Sequence, residues 1–211
     1  MHRPTAMVAP PSFSLNDDLR ARKQTLRAEA RARRAGLDPQ ARVAASERVG
    51  ELLWERLGRQ TGPVSGYWPI RDELDPRPAM QRFAAAGATL ALPRLQGPDR
   101  PLAFLTWRPD QTLRPGEFGL SEPELGAQSV RPKLVLVPLL AFDRAGHRVG
   151  WGKGYYDRTL AALRSDGAPL LAVGLAFAVQ EVEHVPAGPS DAPLDAVVTE
   201  GGWIATGAGG A

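Results

Sequence analysis

Residues 133–158 read KLVLVPLLAFDRAGHRVGWGKGYYDR, and their pattern decides the fold class. The opening KLVLVPLL is almost continuously apolar. A strand with one wet face alternates, whereas a strand buried on both faces does not. Burial on both faces arises in a largely parallel sheet covered by helices. The surrounding sequence repeats the theme. Residues 64–70 (VSGYWPI), 89–93 (TLALP), 102–107 (LAFLTW), 170–177 (LLAVGLAF) and 196–199 (AVVT) read as strands, and 78–86 and 155–164 as helices. Strands alternating with helices predict an α/β fold of three layers, a mostly parallel sheet flanked by helices.

The N-terminal part is helical in rhythm. Asn16 or Asp17 caps a helix reaching about Arg34, with Asp17 and Asp18 at its positive end, Leu15, Leu19 and Leu26 as a thin apolar stripe, and Gly36 beyond its end. Asp38-Pro39 opens a second helix in which Val43, Val49, Leu52, Leu53 and Leu57 recur near a 3.6-residue period, closed by residues 58–63. No internal repeat is present. One domain is expected over residues 15–205, with residues 1–14 and 206–211 as disordered tails.

Composition narrows the function classes. The chain of 211 residues is 43% hydrophobic and 23% charged, enough for one substantial core. It contains no cysteine, which removes disulfides, thiolate catalysis and cysteine-ligated metals. No stretch approaches the roughly 18 apolar residues of a membrane helix, and the first eleven residues do not resemble a signal peptide. A cytoplasmic monomer, bound neither to membrane nor to nucleic acid, is expected. The net charge is only +3, but Arg20, Arg22, Lys23, Arg27, Arg31, Arg33 and Arg34 crowd one segment. Such a patch suits an anionic ligand, while a solvated helix face or a nucleic-acid-binding module are the competing readings.

The chemistry concentrates after the buried strand, where ligands of open α/β sheets bind. Gly150, Gly152 and Gly154 alternate, allowing backbone N–H groups to approach a polyanion. The helix opening at Tyr155 points its positive end at the same place. Arg148 and Lys153 add cationic donors, and Asp157 is a candidate ligand for a hard cation such as Mg²⁺. The spacing is neither that of a Walker A loop nor Gly-x-Gly-x-x-Gly, so glycines alone do not specify the ligand.

The run from Arg148 to Asp157, RVGWGKGYYD, closely resembles the signature of 5-formyltetrahydrofolate cyclo-ligases, and the resemblance extends from about Leu19 to Thr199. Lys23 to Arg27 (KQTLR) is similar to the family's Lys-x-x-Leu-Arg segment. Residues 67–75 (YWPIRDELD), Leu92-Pro93-Arg94, residues 118–123 (FGLSEP) and the SDAPLDAVVTE run are also typical. Val149 stands where leucine is usual, and Trp151 occupies a variable position. The resemblance implies a fold similar to that of sugar-phosphate isomerases and CoA transferases. It implies an ATP- and Mg²⁺-dependent ligase that cyclises 5-formyltetrahydrofolate, with or without a polyglutamate tail. It assigns ATP contacts to Lys23, Arg27, Arg148, Gly150, Gly152, Lys153, Gly154, Tyr155 and Tyr156, and catalytic charge stabilisation to Lys153 and Arg148. Folate contact falls to Glu73, and Mg²⁺ to Asp157 and Asp191. Trp68, Trp107 and Trp151 are candidates for the folate pocket or for the core, and one of Tyr155 and Tyr156 is expected to bind while the other packs. Asp143 is expected to order the glycine loop, and His147 and His184 to be exposed loop residues. Another ATP- or phosphate-ligand enzyme on the same scaffold is the alternative.

Overall fold

The computed structural model describes residues 15–59 and 62–207. The tail expected over residues 1–14, the loop residues 60 and 61, and residues 208–211 lie outside them. Two helices come first, α1 (Leu15–Ala35) and α2 (Pro39–Leu57). There follow β1 (Val64–Ser65), α3 (Arg77–Ala85), β2 (Leu90–Arg94), β3 (Ala103–Thr106) and the short pair β4 (Arg114–Pro115) and β5 (Ser121–Glu122). The second half holds β6 (Leu134–Pro138), the pair β7 (Ala141–Phe142) and β8 (Arg148–Val149), α4 (Tyr155–Arg164), β9 (Leu171–Leu175), β10 (Ala196–Thr199) and β11 (Gly202–Ala205).

The main sheet has the order β11-β10-β9-β6-β1-β2-β3. Its five inner strands are parallel, and β3 and β11 are antiparallel edges. The apolar run at 133–140 is the centre, β6, hydrogen-bonded to β1 on one side and β9 on the other. Its side chains divide between two cores. Leu134 and Leu136 join Val49, Leu53, Met80 and Phe83 under α2 and α3. Val135 and Val137 join Leu160 of α4 on the opposite face. A third, smaller cluster seats Ala30 of α1 against Leu140, Ala141 and Val149.

Local chemistry explains the helix boundaries. Asp38 Oδ1 accepts hydrogen bonds from the N–H groups of Gln40 (2.8 Å) and Ala41 (3.1 Å), and proline occupies the first turn of α2. Caps of this kind contribute about 1 kcal/mol.

Several expectations need correction. Val43 is 66% exposed, because the inward face of α2 runs through Ala45, Val49 and Leu53 at four-residue steps. The strand expected over 64–70 ends at Ser65, and the rest is a loop that enters the site. Thr206, placed in the tail, is buried, and its hydroxyl donates to the carbonyl of Leu194. His147 is half-buried rather than exposed, with Nδ1 3.2 Å from Asp143 Oδ2. The edge strand β11 and the two short pairs were not anticipated. No helix among the described residues is long and apolar enough to cross a membrane.

Candidate active site

Strand order reverses at the β1/β6 boundary: from β1 the chain moves outward through β2 and β3, then returns to β6 on the other side. Loops leaving β1 and β6 therefore diverge and leave a crevice at the strands' carboxyl ends. A cleft of about 1200 Å³ lies there. Its walls are the loop after β1, the glycine loop after β8, the start of α4, one face of α1, and residues 188–191.

Three of these walls are held by named contacts. Arg20, Lys23 and Arg27 of α1, spaced by three and four residues, all face the cleft. Lys23 Nζ lies 2.5 Å from Asp191 Oδ2, which also accepts from the Gly188 N–H at 2.6 Å. Arg27 Nε donates to the Gly150 carbonyl at 2.8 Å. The glycine loop is shaped for that approach. Gly152 has φ +91°, and a Cβ there would sit 3.2 Å from the Arg27 guanidinium carbon. Gly154, φ +67°, turns the chain into α4.

Arg148 is 8% exposed at the base of the cleft. It donates to Asp157 Oδ1 at 2.8 Å and to the Ala192 carbonyl. Asp157 Oδ1 also accepts from the Ala192 N–H at 3.2 Å. Burial lowers the pKa of Arg148 and of Arg27, opposed in both by the charges of Asp157 and Asp191. The two carboxylates and the two guanidinium groups thus form one electrostatic unit. Each carboxylate uses one oxygen in these bonds, Oδ1 of Asp157 and Oδ2 of Asp191. A second oxygen on each remains as a hard donor of the kind Mg²⁺ takes beside substrate phosphates, so the donor set fits that ion.

The opposite wall carries Glu73. Its Oε1 accepts from the Trp151 indole N–H at 2.8 Å and its Oε2 from the Ile70 N–H at 3.0 Å. Burial raises its pKa, and these two hydrogen bonds only partly offset that. Tyr67 braces the same loop by donating to the Leu74 carbonyl at 2.7 Å. Tyr155 and Tyr156 both line the cleft and both pack against the α4 core, so the structure does not divide them into one binder and one packer. Burial raises the Tyr156 pKa. Asp143 accepts from the N–H groups of Ala145, His147 and Val185, which braces the turn before the glycine loop. Asp195 pairs with Arg164 at 3.0 Å and accepts from the Ala172 N–H at 2.7 Å.

Of the candidate residues, all but Trp107 line this cleft. Trp107 is 5% exposed within the core, edge-on to Trp68 at 5.9 Å between centroids. The pocket wall is Trp68, and Trp107 is its backing. Sequence reading missed Tyr67, Arg71 and Arg158 as lining residues. Arg158 followed directly on Asp157 in the motif, and its guanidinium donates to the Lys153 carbonyl at 2.8 Å and lies 5.2 Å from the Tyr155 ring centroid.

Residues 19–200 match the model of the 5-formyltetrahydrofolate cyclo-ligase family. A 5-formyltetrahydrofolate cyclo-ligase of Haemophilus influenzae is 31% identical over 179 residues, covering 82% of this chain and 95% of the relative. That of Escherichia coli K12 is 36% identical over 141 residues, 64% of this chain and 76% of the relative. Among solved structures, the 5,10-methenyltetrahydrofolate synthetase of Aquifex aeolicus superposes with a TM-score of 0.74 at 31% identity, covering 87% of this chain and 92% of that one.

Proposed function

The chain belongs to the 5-formyltetrahydrofolate cyclo-ligase family, and on that premise we propose that it cyclises 5-formyltetrahydrofolate to 5,10-methenyltetrahydrofolate, converting ATP to ADP and phosphate. The observation that carries this reading is the convergence of Lys23, Arg27, Arg148, the glycine loop, Asp157, Asp191 and Glu73 on one cleft from four separated parts of the chain. An amide-like formyl oxygen is a poor leaving group. Attack of that oxygen on the γ-phosphorus forms a P–O bond and releases ADP. N10 of the folate then adds to the activated carbon, loses its proton, and phosphate departs as the ring closes. The protein needs no nucleophile. Positioning and charge neutralisation carry phosphoryl transfer, and the cleft supplies cations and backbone amides for both.

Within this reading Lys23 and Arg27 hold nucleotide phosphates, Lys153 and Arg148 stabilise charge on the transferring group, and Glu73 and Trp68 contact the folate. Mg²⁺, held by Asp157 and Asp191, would supply neutralisation of phosphate charge. Incubating the purified protein with 5-formyltetrahydrofolate and MgATP tests the proposal, through the near-ultraviolet absorbance of the methenyl product. No absorbance change while the folded protein binds ATP would favour a different phosphate-ligand enzyme on this scaffold.

Two expected outcomes follow from the geometry. Lys23→Ala removes a cation 2.5 Å from Asp191. It is expected to raise the KM for ATP about tenfold, in line with about 1.5 kcal/mol for a charge-assisted hydrogen bond, and to leave the KM for folate nearly unchanged. Equal increases in both KM values count against the assignment. Asp157→Asn keeps an oxygen for Arg148 and the Ala192 N–H but removes the charge. Activity is expected to fall and to recover in part as magnesium is raised. Loss independent of magnesium would give Asp157 a purely positioning role.

A further inference from the structure

A second, smaller pocket of about 300 Å³ opens beside the large cleft. Arg31, Ala35, Arg42, Arg71, Asp72 and Trp151 line it. Trp151 and Arg71 line both cavities and separate them, whereas Arg31 and Arg42 face only the smaller one. Its charge is unbalanced. Three guanidinium groups surround the Trp151 indole, those of Arg31, Arg34 and Arg71, at 5.9, 5.8 and 5.3 Å from the ring centroid. Among the described residues of the lining Asp72 is the only acidic one, and Arg34, 1% exposed, already takes its Oδ1 at 2.8 Å. Among the described residues, Arg31 and Arg71 have the Trp151 ring as their neighbour rather than a carboxylate, and Arg42 acts on Asp72 through its charge without a direct hydrogen bond. Arg71 is moreover held at φ +57°, a conformation that non-glycine residues seldom adopt.

Three guanidinium forks with no carboxylate of their own in hydrogen-bond reach, around a concavity with an aromatic wall, match the geometry of an oxyanion, which each fork can bind bidentately. A cluster in which one carboxylate faces four cations carries a net positive potential, which favours an entering anion. We propose that this pocket is a second oxyanion site, taking a carboxylate or phosphate group, either as a free ion or as the acidic tail of a ligand whose body occupies the large cleft. Occupancy has a direct route to the cleft, because the pocket's wall is the indole that donates to Glu73.

The test is titration of the full-length protein with inorganic phosphate at constant ionic strength, followed by tryptophan emission. Wild type is compared with the Arg31→Gln/Arg42→Gln double variant, and Trp151→Phe identifies the reporting indole. Arg31→Gln alone serves if the double variant does not fold. Kinetics in phosphate-free buffer form the second arm. A saturable response that the double variant loses, with the KM for 5-formyltetrahydrofolate unchanged, identifies a free-ion site. A KM for the folate raised fivefold or more, with kcat and the KM for ATP retained, identifies the substrate's own acidic tail. That arm rests on the proposed activity, while the emission arm does not, so failure of turnover in wild type leaves the site testable. Identical phosphate titrations and identical KM values in the two proteins overturn the proposal.

Discussion

Lys153→Ala is expected to lower kcat about a hundredfold, and kcat/KM with it, while the KM for ATP changes little. Lys153 is exposed between Gly152 and Gly154, on the loop that lines the cleft beside Arg27. Its backbone is anchored, since its carbonyl accepts from Arg158, while the flanking positive-φ glycines set the direction in which the side chain leaves. A donor whose contact strengthens as charge develops on the transferring phosphoryl group contributes about 3 kcal/mol to the transition state, hence the hundredfold. A ground-state anchor for ATP behaves differently, raising KM and sparing kcat. The companion variant Gly152→Val separates the side chain from the loop itself. It strains a φ of +91° and drives a branched side chain into the Arg27 guanidinium, so it is expected to abolish activity whatever Lys153 does. Steady-state kinetics with ATP varied distinguishes these cases. Wild-type kcat and KM in Lys153→Ala would remove the lysine from the mechanism.

Arg148→Met is expected to cost both activity and stability. It leaves the Ala192 carbonyl and Asp157 without their common donor. Removing one partner of a buried ion pair costs about 3–5 kcal/mol. Asp157 is 28% exposed, so water compensates in part and the lower end applies. For a chain of this size about 3 kcal/mol corresponds to a fall in Tm of roughly 8 °C. Activity should drop at least as far as in Lys153→Ala, because Asp157 loses its orientation. Arg148→Lys retains the charge but cannot bridge both acceptors, and is expected to restore part of the Tm and little of the kcat. A variant that melts early yet turns over normally would make Arg148 structural only.

The parallel core was legible because its signal is local. An apolar run such as 133–140 has few solutions, and α4 begins and ends where its pattern said, at Tyr155 and Arg164. The glycine loop was legible for the same reason, its residues lying within ten positions. What escaped was set by distant partners. Val43 looked like a core residue until the packing of α2 chose another face. Trp68 and Trp107 are alike in sequence, and only their packing in the fold, edge to face, shows which one meets the cleft. Residues 66–70 have strand composition, but they leave the sheet to carry Glu73 into the cleft, where Trp151, 78 positions later in the chain, holds it. The basic pocket was invisible because Arg31, Arg42 and Arg71 are brought together by two helices and a loop with no shared motif.

The clasp of α1 onto the body of the protein bears on how the chain is made. Arg27 meets Gly150 across 123 positions and Lys23 meets Asp191 across 168. Contacts of such span form late, since the whole intervening chain must first be confined. During synthesis the first helix waits for the chain that follows it: Arg27 gains Gly150 and the charge of Asp157 first, and Lys23 has no carboxylate opposite it until residue 191 has appeared. No partial product of the ribosome therefore carries a complete cleft. The full lining of the cleft is assembled in one step, once residues 188–191 are in place.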